Sequence, residues 1–197
     1  MPDTESATIK PACGPIQAGW LAGVRHVPSP NCDARPAGIE IDLLIIHGIS
    51  LPPGEYGGGH VEELFTNTLD PQAHPYFAEI AGLRVSAHLF IDRAGQVTQF
   101  MSLLDRAWHA GESMFAGRSA CNDFSVGIEL EGCDEQTYTE PQYRQLGMLT
   151  GLLQQEIPAI TATRIVGHSD VAPGRKTDPG PGFDWKYFRR LLKEITV

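Results

Sequence analysis

Seven histidines supply most of the near-neutral chemistry open to this 197-residue chain: His26, His47, His60, His74, His88, His109 and His168. A lone histidine is more often structural than functional, so context has to separate them. His47 stands near the end of residues 42–49, a run otherwise apolar on both parities. A ring buried there without a partner costs about 1–3 kcal/mol. A backbone carbonyl would satisfy it, and so would a ligand or metal; the Gly/Pro-rich stretch 50–59 that follows is the kind of loop that surrounds such sites. His168 follows the short apolar stretch Ile165-Val-Gly167 and opens the run 169–181, where Lys176 and Asp178 lie between Pro173 and Pro179. Prolines fix the backbone and the glycines Gly174, Gly180 and Gly182 permit sharp turns, so this loop is ordered and can return a side chain to the strand end before it. Lys176 and Asp178, two apart, face the same way in extended chain. An exposed ion pair at a turn is the plainer alternative, and such pairs are weak.

Two neutral histidines and one carboxylate suit a catalytic zinc ion with its fourth position open to water, whose pKa the ion brings to about 7. Such a site needs a general base and a group to stabilise the developing oxyanion. Glu129 and Glu131, on one face of the alternating stretch 124–131, can each be the base, and Gly127 on that face leaves room for a ligand. The alternative for both acids is a solvated strand face. Lys176 is the natural oxyanion donor, with Tyr76 as a helper. No H-E-x-x-H, G-x-S-x-G, Walker A or G-x-G-x-x-G pattern occurs, so zincin, serine-hydrolase and nucleotide readings lack support. A glycosidase needs carboxylates flanking the scissile bond, whereas these two sit side by side.

The elements that must hold these residues follow from periodicity. The length predicts one domain, and Gly 21 with Pro 15 predicts many ordered loops. Residues 42–49 read as a central strand buried on both faces, and 60–66 as a short helix, with 70–76 a loop. Residues 85–92 and 96–102 read as a hairpin about Arg93-Ala-Gly95. The stretch 108–122 reads as a loop and 124–131 as a strand. Thr139 and Gln142 form a capping box ahead of a helix ending at Pro158. Residues 164–167 read as a short strand, and Asp184 caps a last helix. The sum is a single α/β (mixed α+β) domain, a central mixed sheet flanked by helices, over 19–197, with 1–18 a flexible extension. Net charge −9 argues against a nucleic-acid partner. No run reaches the ~20 apolar residues of a membrane helix. The start Met-Pro-Asp-Thr-Glu has no basic, then apolar, secretory pattern, so the expected setting is cytoplasmic with the four cysteines reduced.

Several motifs occur together and in order: Leu44-Ile-Ile-His-Gly-Ile-Ser-Leu-Pro-Pro-Gly54, His74-Pro-Tyr-Phe77, Val85-Ser-Ala-His88, Arg106-Ala-Trp-His-Ala-Gly111, Cys121-Asn-Asp-Phe-Ser-Val-Gly-Ile-Glu-Leu-Glu-Gly132, and Gly167-His168 with Arg175-Lys-Thr-Asp-Pro-Gly-Pro181. From about Gly19 onward the chain resembles the AmpD-type anhydro-N-acetylmuramoyl-L-alanine amidases of the zinc amidase and peptidoglycan-recognition superfamily. The resemblance implies that fold, Zn2+ on His47, His168 and Asp178, Glu129 as general base and Lys176 as transition-state stabiliser. It implies substrate contacts at Tyr76, Arg84, Trp108 and His109. The implied reaction is hydrolysis of the amide between the lactyl group of anhydro-N-acetylmuramic acid and L-alanine of the stem peptide, in cytoplasmic cell-wall recycling, with no obligate protein partner. A non-catalytic muropeptide-binding module of the same fold is the alternative. The chain departs from the family pattern in three places. Gly48 stands where asparagine is usual, Gly174 where an acidic residue is common, and the N-terminal stretch is longer.

Overall fold

Apolar side chains on both parities leave a strand no solvent-facing side, and Leu43–Ile49 (β2) accordingly lies inside a six-stranded sheet in the computed structural model, which describes residues 14–195. With Arg25–His26 as β1, Leu89–Ile91 as β3, Val97–Gln99 as β4, Ser125–Glu131 as β5 and Ile165–Gly167 as β6, the strand order is β6-β2-β5-β3-β4-β1. β6, β2, β5 and β3 run parallel, β4 runs antiparallel to β3, and β1 runs parallel to β4. The sheet is mixed, as expected, and the hairpin about Arg93–Gly95 is the β3–β4 pair. Its paired strands are shorter than the periodicity suggested.

One face of the sheet meets the helices Glu140–Glu156 (α3) and Trp185–Ile195 (α5). There Leu44, Ile46, Leu89, Ile91, Val126, Ile128 and Leu130 pack with Leu146, Leu149, Leu153, Phe188 and Leu192. α3 starts where the capping box requires: Thr139 Oγ1 accepts from Gln142 N (3.3 Å) and Gln142 Oε1 from Thr139 N (3.0 Å). Asp184 Oδ1 caps α5 by accepting from Tyr187 N at 2.9 Å. The opposite face is covered by loops and by the short helices His60–Phe65 (α1), Pro75–Ile80 (α2) and His168–Val171 (α4). Leu51, Val61, Leu64, Phe65, Phe77 and Phe100 fill one end, and Leu43 and Ile45 with Phe124 and Val171 the other.

Three expectations change and one alternative falls. All seven residues of β5 are buried, so Glu129 and Glu131 do not stand on an open, solvated strand face. The 108–122 loop contains a two-stranded ribbon, Met114–Phe115 with Arg118–Ser119. Tyr76 is helical, because His74 caps α2 by accepting from Tyr76 N at 3.1 Å. Of the expected extension 1–18, residues 1–13 lie outside the described residues, while 14–18 belong to a hairpin pairing Ile16–Gln17 with Trp20–Leu21. Positive φ at Ala18 and Gly19 supplies its turn, and Gln99 ties it down by accepting from Leu21 N and donating to Gly19 O. Among the described residues Cys32, Cys121 and Cys133 are free thiols, and no helix is long and apolar enough to cross a membrane.

Candidate metal centre and active site

Strand parity decides what faces the site. His47 shares its parity with Leu43 and Ile45, which places it on the side of the sheet away from α3 and α5. Parallel pairing sets Glu129 of β5 beside His47 of β2, and Gly167 of β6 beside Ile46. His168, the next residue, therefore begins α4 at the level of His47. The proline-bounded loop comes back to the same strand end, where Ser169 N donates to Asp178 O at 3.0 Å.

Three ligand-type atoms converge there. His47 Nδ1 and His168 Nδ1 are 3.0 Å apart, and Asp178 Oδ2 lies 3.2 Å from the first and 3.1 Å from the second. A tetrahedral zinc ion with ligands at about 2.0–2.1 Å would set them about 3.3–3.4 Å apart, so a small outward movement admits it. The donor chemistry fits as well. His168 Nε2 lies 3.2 Å from the carbonyl of Ala110, which can only accept, so this nitrogen carries a proton and Nδ1 is the one turned to the ligand cluster. Burial lowers the His47 pKa to about 4, keeping its ring neutral. Burial would raise the Asp178 carboxyl, but the hydrogen bond with His168 and the His47 ring beside it outweigh it and hold Asp178 well below the usual carboxylate range. The set is thus two imidazoles and a carboxylate.

Glu129 and Glu131 differ in what they already hold. Both Glu131 oxygens are engaged by backbone, with Gly57 N at 2.6 Å and Arg93 N at 3.0 Å, so this residue clamps two loops to the strand end. Glu129 Oε1 lies 3.9 Å from His47 Nδ1, and its Oε2 is buried without a hydrogen-bond partner. Burial first, then the charge of Asp178, push its carboxyl well above the ordinary glutamate range against the pull of Lys176. A carboxyl with a free oxygen and a raised pKa binds a proton more readily than an ordinary glutamate and can return it.

A cleft of about 570 Å³ opens over these groups, with Glu129, His168, Lys176 and Asp178 on its floor and rim. Leu64, Phe65, Ile80 and Leu83 form an apolar wall, and Asp134 and Glu135 an acidic one. Lys176 and Asp178 do face the same space. Tyr76 and His109 line the cleft; Arg84 and Trp108 do not. Arg84 is exposed and donates to Leu83 O at 3.2 Å, and the Trp108 side chain hydrogen-bonds Asp33. The space beside Gly127 is filled by the ring of His109 rather than left for a ligand. Sequence reasoning missed Tyr138. Its hydroxyl donates to Pro179 O at 3.0 Å, bracing the residue after Asp178, and it occupies the place where a side chain on Gly48 would go. Nothing local marks it, since its partner is 41 positions away.

Residues 37–181 match the N-acetylmuramoyl-L-alanine amidase family. The chain is 55% identical over 182 residues to the 1,6-anhydro-N-acetylmuramyl-L-alanine amidase AmpD of Escherichia coli (strain K12), covering 92% of this chain and 99% of that one. A crystal structure of a selenomethionine AmpD derivative superposes with TM-score 0.87 at 55% identity, over 90% of this chain and 98% of that one. AmpDh3 of Pseudomonas aeruginosa, solved with anhydromuramic pentapeptide, is 28% identical with TM-score 0.61, over 79% of this chain and 61% of that one. The family match spans β2 to β6, His47, His168 and the returning loop alike, and the chain belongs to the N-acetylmuramoyl-L-alanine amidase family.

Proposed function

We propose that this protein is a zinc-dependent amidase that hydrolyses the amide between the lactyl group of 1,6-anhydro-N-acetylmuramic acid and L-alanine of the stem peptide. The observation that carries the reading is the convergence of His47 Nδ1, His168 Nδ1 and Asp178 Oδ2 within 3.2 Å of one another, beside a carboxyl with a free oxygen. The name of the 55% identical relative and the ligand of AmpDh3 support the substrate class. The same reading gives a cytoplasmic role in muropeptide recycling, for which the support is the sequence resemblance.

His47, His168 and Asp178 would hold the ion. When bound, zinc supplies a Lewis acid that polarises the scissile carbonyl and makes water acidic enough to ionise near pH 7. Glu129 takes a proton from the attacking water as the oxygen adds to the carbonyl carbon. The Lys176 ammonium, at the rim, donates to the oxyanion that develops. Glu129 then returns the proton to the alanine nitrogen as the C–N bond breaks, leaving a lactyl carboxylate and a free peptide amine. Tyr76 stands on the cleft wall as a substrate contact, and the exposed Arg84, outside the cleft but next to Leu83 and Val85 of its wall, is placed to reach only a substrate that extends beyond it.

Incubating the purified protein with an anhydro-N-acetylmuramoyl tripeptide, with and without chelator, tests this. Mass spectrometry is expected to find the anhydro-sugar and the free peptide, lost on chelation and restored by zinc. Cleavage indifferent to chelator overturns the metal, and binding without cleavage overturns the amidase in favour of a recognition module.

A further inference from the structure

His109 does more than border the cleft. Its ring stands between His47 and β5 in the space that Gly127 leaves open, where a Cβ would lie 2.5–2.8 Å from Nδ1, Cγ and Cε1 of that ring. The protons can be placed from the far end inward. Ser125 Oγ lies 2.6 Å from Cys121 O, a carbonyl that only accepts, so the single hydroxyl proton is committed there. Towards His109 Nε2, 3.1 Å away, Ser125 Oγ can then only accept. That makes His109 Nε2 the donor to Ser125, the tautomer in which Nδ1 of the ring is the acceptor. Its Nδ1 holds a lone pair, and the 2.8 Å contact with His47 Nε2 makes that nitrogen the donor. His47 Nδ1 is left unprotonated, facing His168 Nδ1 and Asp178 Oδ2.

We propose that His109 is a positioning residue: with Ser125 and the Cys121 carbonyl it forms a relay that holds His47 as the Nε2–H tautomer, keeping Nδ1 free for the cation. The proposal rests on the metal reading above and assigns its two histidines separate supports. His168 is set by the single carbonyl of Ala110, whereas His47 is set through two side chains. Such partners of a metal ligand typically change metal affinity about 10–100-fold when removed. Ser125 is fully buried, so its contribution cannot be contact with substrate.

The test measures zinc affinity by competition with a chromogenic chelator, and the His47 tautomer by imidazole 15N shifts in the zinc-free protein. Four proteins are compared: wild type, His109→Leu, His109→Asn and Ser125→Ala. Leucine removes both nitrogens; asparagine keeps an oxygen near the Nδ1 position. Wild type is expected to show His47 protonated on Nε2. His109→Leu is expected to bind zinc about 10–100-fold more weakly, with His47 a mixture of tautomers. Ser125→Ala shifts both readouts less and in the same direction, and His109→Asn recovers most of the affinity. A packing or substrate-lining role for His109 predicts wild-type zinc affinity in His109→Leu and Ser125→Ala, and that result overturns the relay. So does a wild-type His47 protonated on Nδ1. A wild-type protein that takes up no zinc sinks the metal reading itself, and the relay with it.

Discussion

On the side of the sheet that meets α3 and α5, Leu44, Ile46, Ile128 and Leu130 interlock with helix side chains and themselves carry no polar side-chain atom to satisfy. One residue along the same strands, on the reverse side, stand His47, Ser125, Glu129 and Glu131, all buried. Both sets are buried, yet the consequences differ. Apolar burial stabilises the fold by about 25 cal/mol per Å². Polar burial stabilises nothing unless partners are found, and on the reverse side the partners are unevenly supplied. Glu131 is saturated by backbone N–H groups, and Ser125 and His109 by each other and a carbonyl. Glu129 keeps one buried oxygen unpaired, and three ligand atoms face one another. On this side of the sheet the unpaired Glu129 oxygen and the three facing ligand atoms stand together where the cleft opens, and that local deficit marks the working part of the molecule.

The largest effect should come from emptying the ligand set. Asp178→Ala is expected to reduce zinc, by elemental analysis, from about one equivalent to almost none, and to abolish turnover; full zinc content would remove Asp178 from the set. Next, Glu129→Gln should lower turnover at least ~10²-fold, the scale of general-base catalysis, with zinc retained. A carboxyl whose folded pKa is raised opposes folding above its unfolded pKa. The melting temperature of zinc-free Glu129→Gln at pH 7 should therefore not fall below that of zinc-free wild type, and near-normal turnover would refute the assigned base.

Ile128→Ala changes the adjacent residue on the dry side and should do the converse. Urea unfolding is expected to show a loss of about 2–5 kcal/mol, while zinc content of the folded protein holds. Equal damage to both readouts would mean the two sides are not separable. The smallest effect is expected at the boundary between them. Tyr138→Phe should cost about 1 kcal/mol for the bond to Pro179. Gly48→Ala should cost more in the native background than in Tyr138→Phe, because the tyrosine hydroxyl is what a new Cβ would overlap. Additive losses in the double-mutant cycle would show that Gly48 is not tied to Tyr138.

The dry side was legible from the chain alone, because strand parity and helix spacing are local properties. The apolar periodicity of 42–49 and 124–131, the Thr139–Gln142 capping box and the Asp184 cap all appear where their residue types require. The identities of His47, His168 and Asp178 came from a different source, a resemblance in motif order, with spacing alone leaving a surface ion pair open. Other decisions were made by pairing register and loop closure, which join residues far apart in the chain and leave no trace in any short window. Register put Glu129 beside His47, and the backbone N–H groups of Gly57 and Arg93, 74 and 38 positions from Glu131, distinguished the two acids physically. Closure set His109 against His47 across 62 positions, filled the room beside Gly127, and set Tyr138 against Gly48. The chain specified by itself which side chains point to which side of each strand; only the packed structure decided which polar groups found partners there and which stayed free to react.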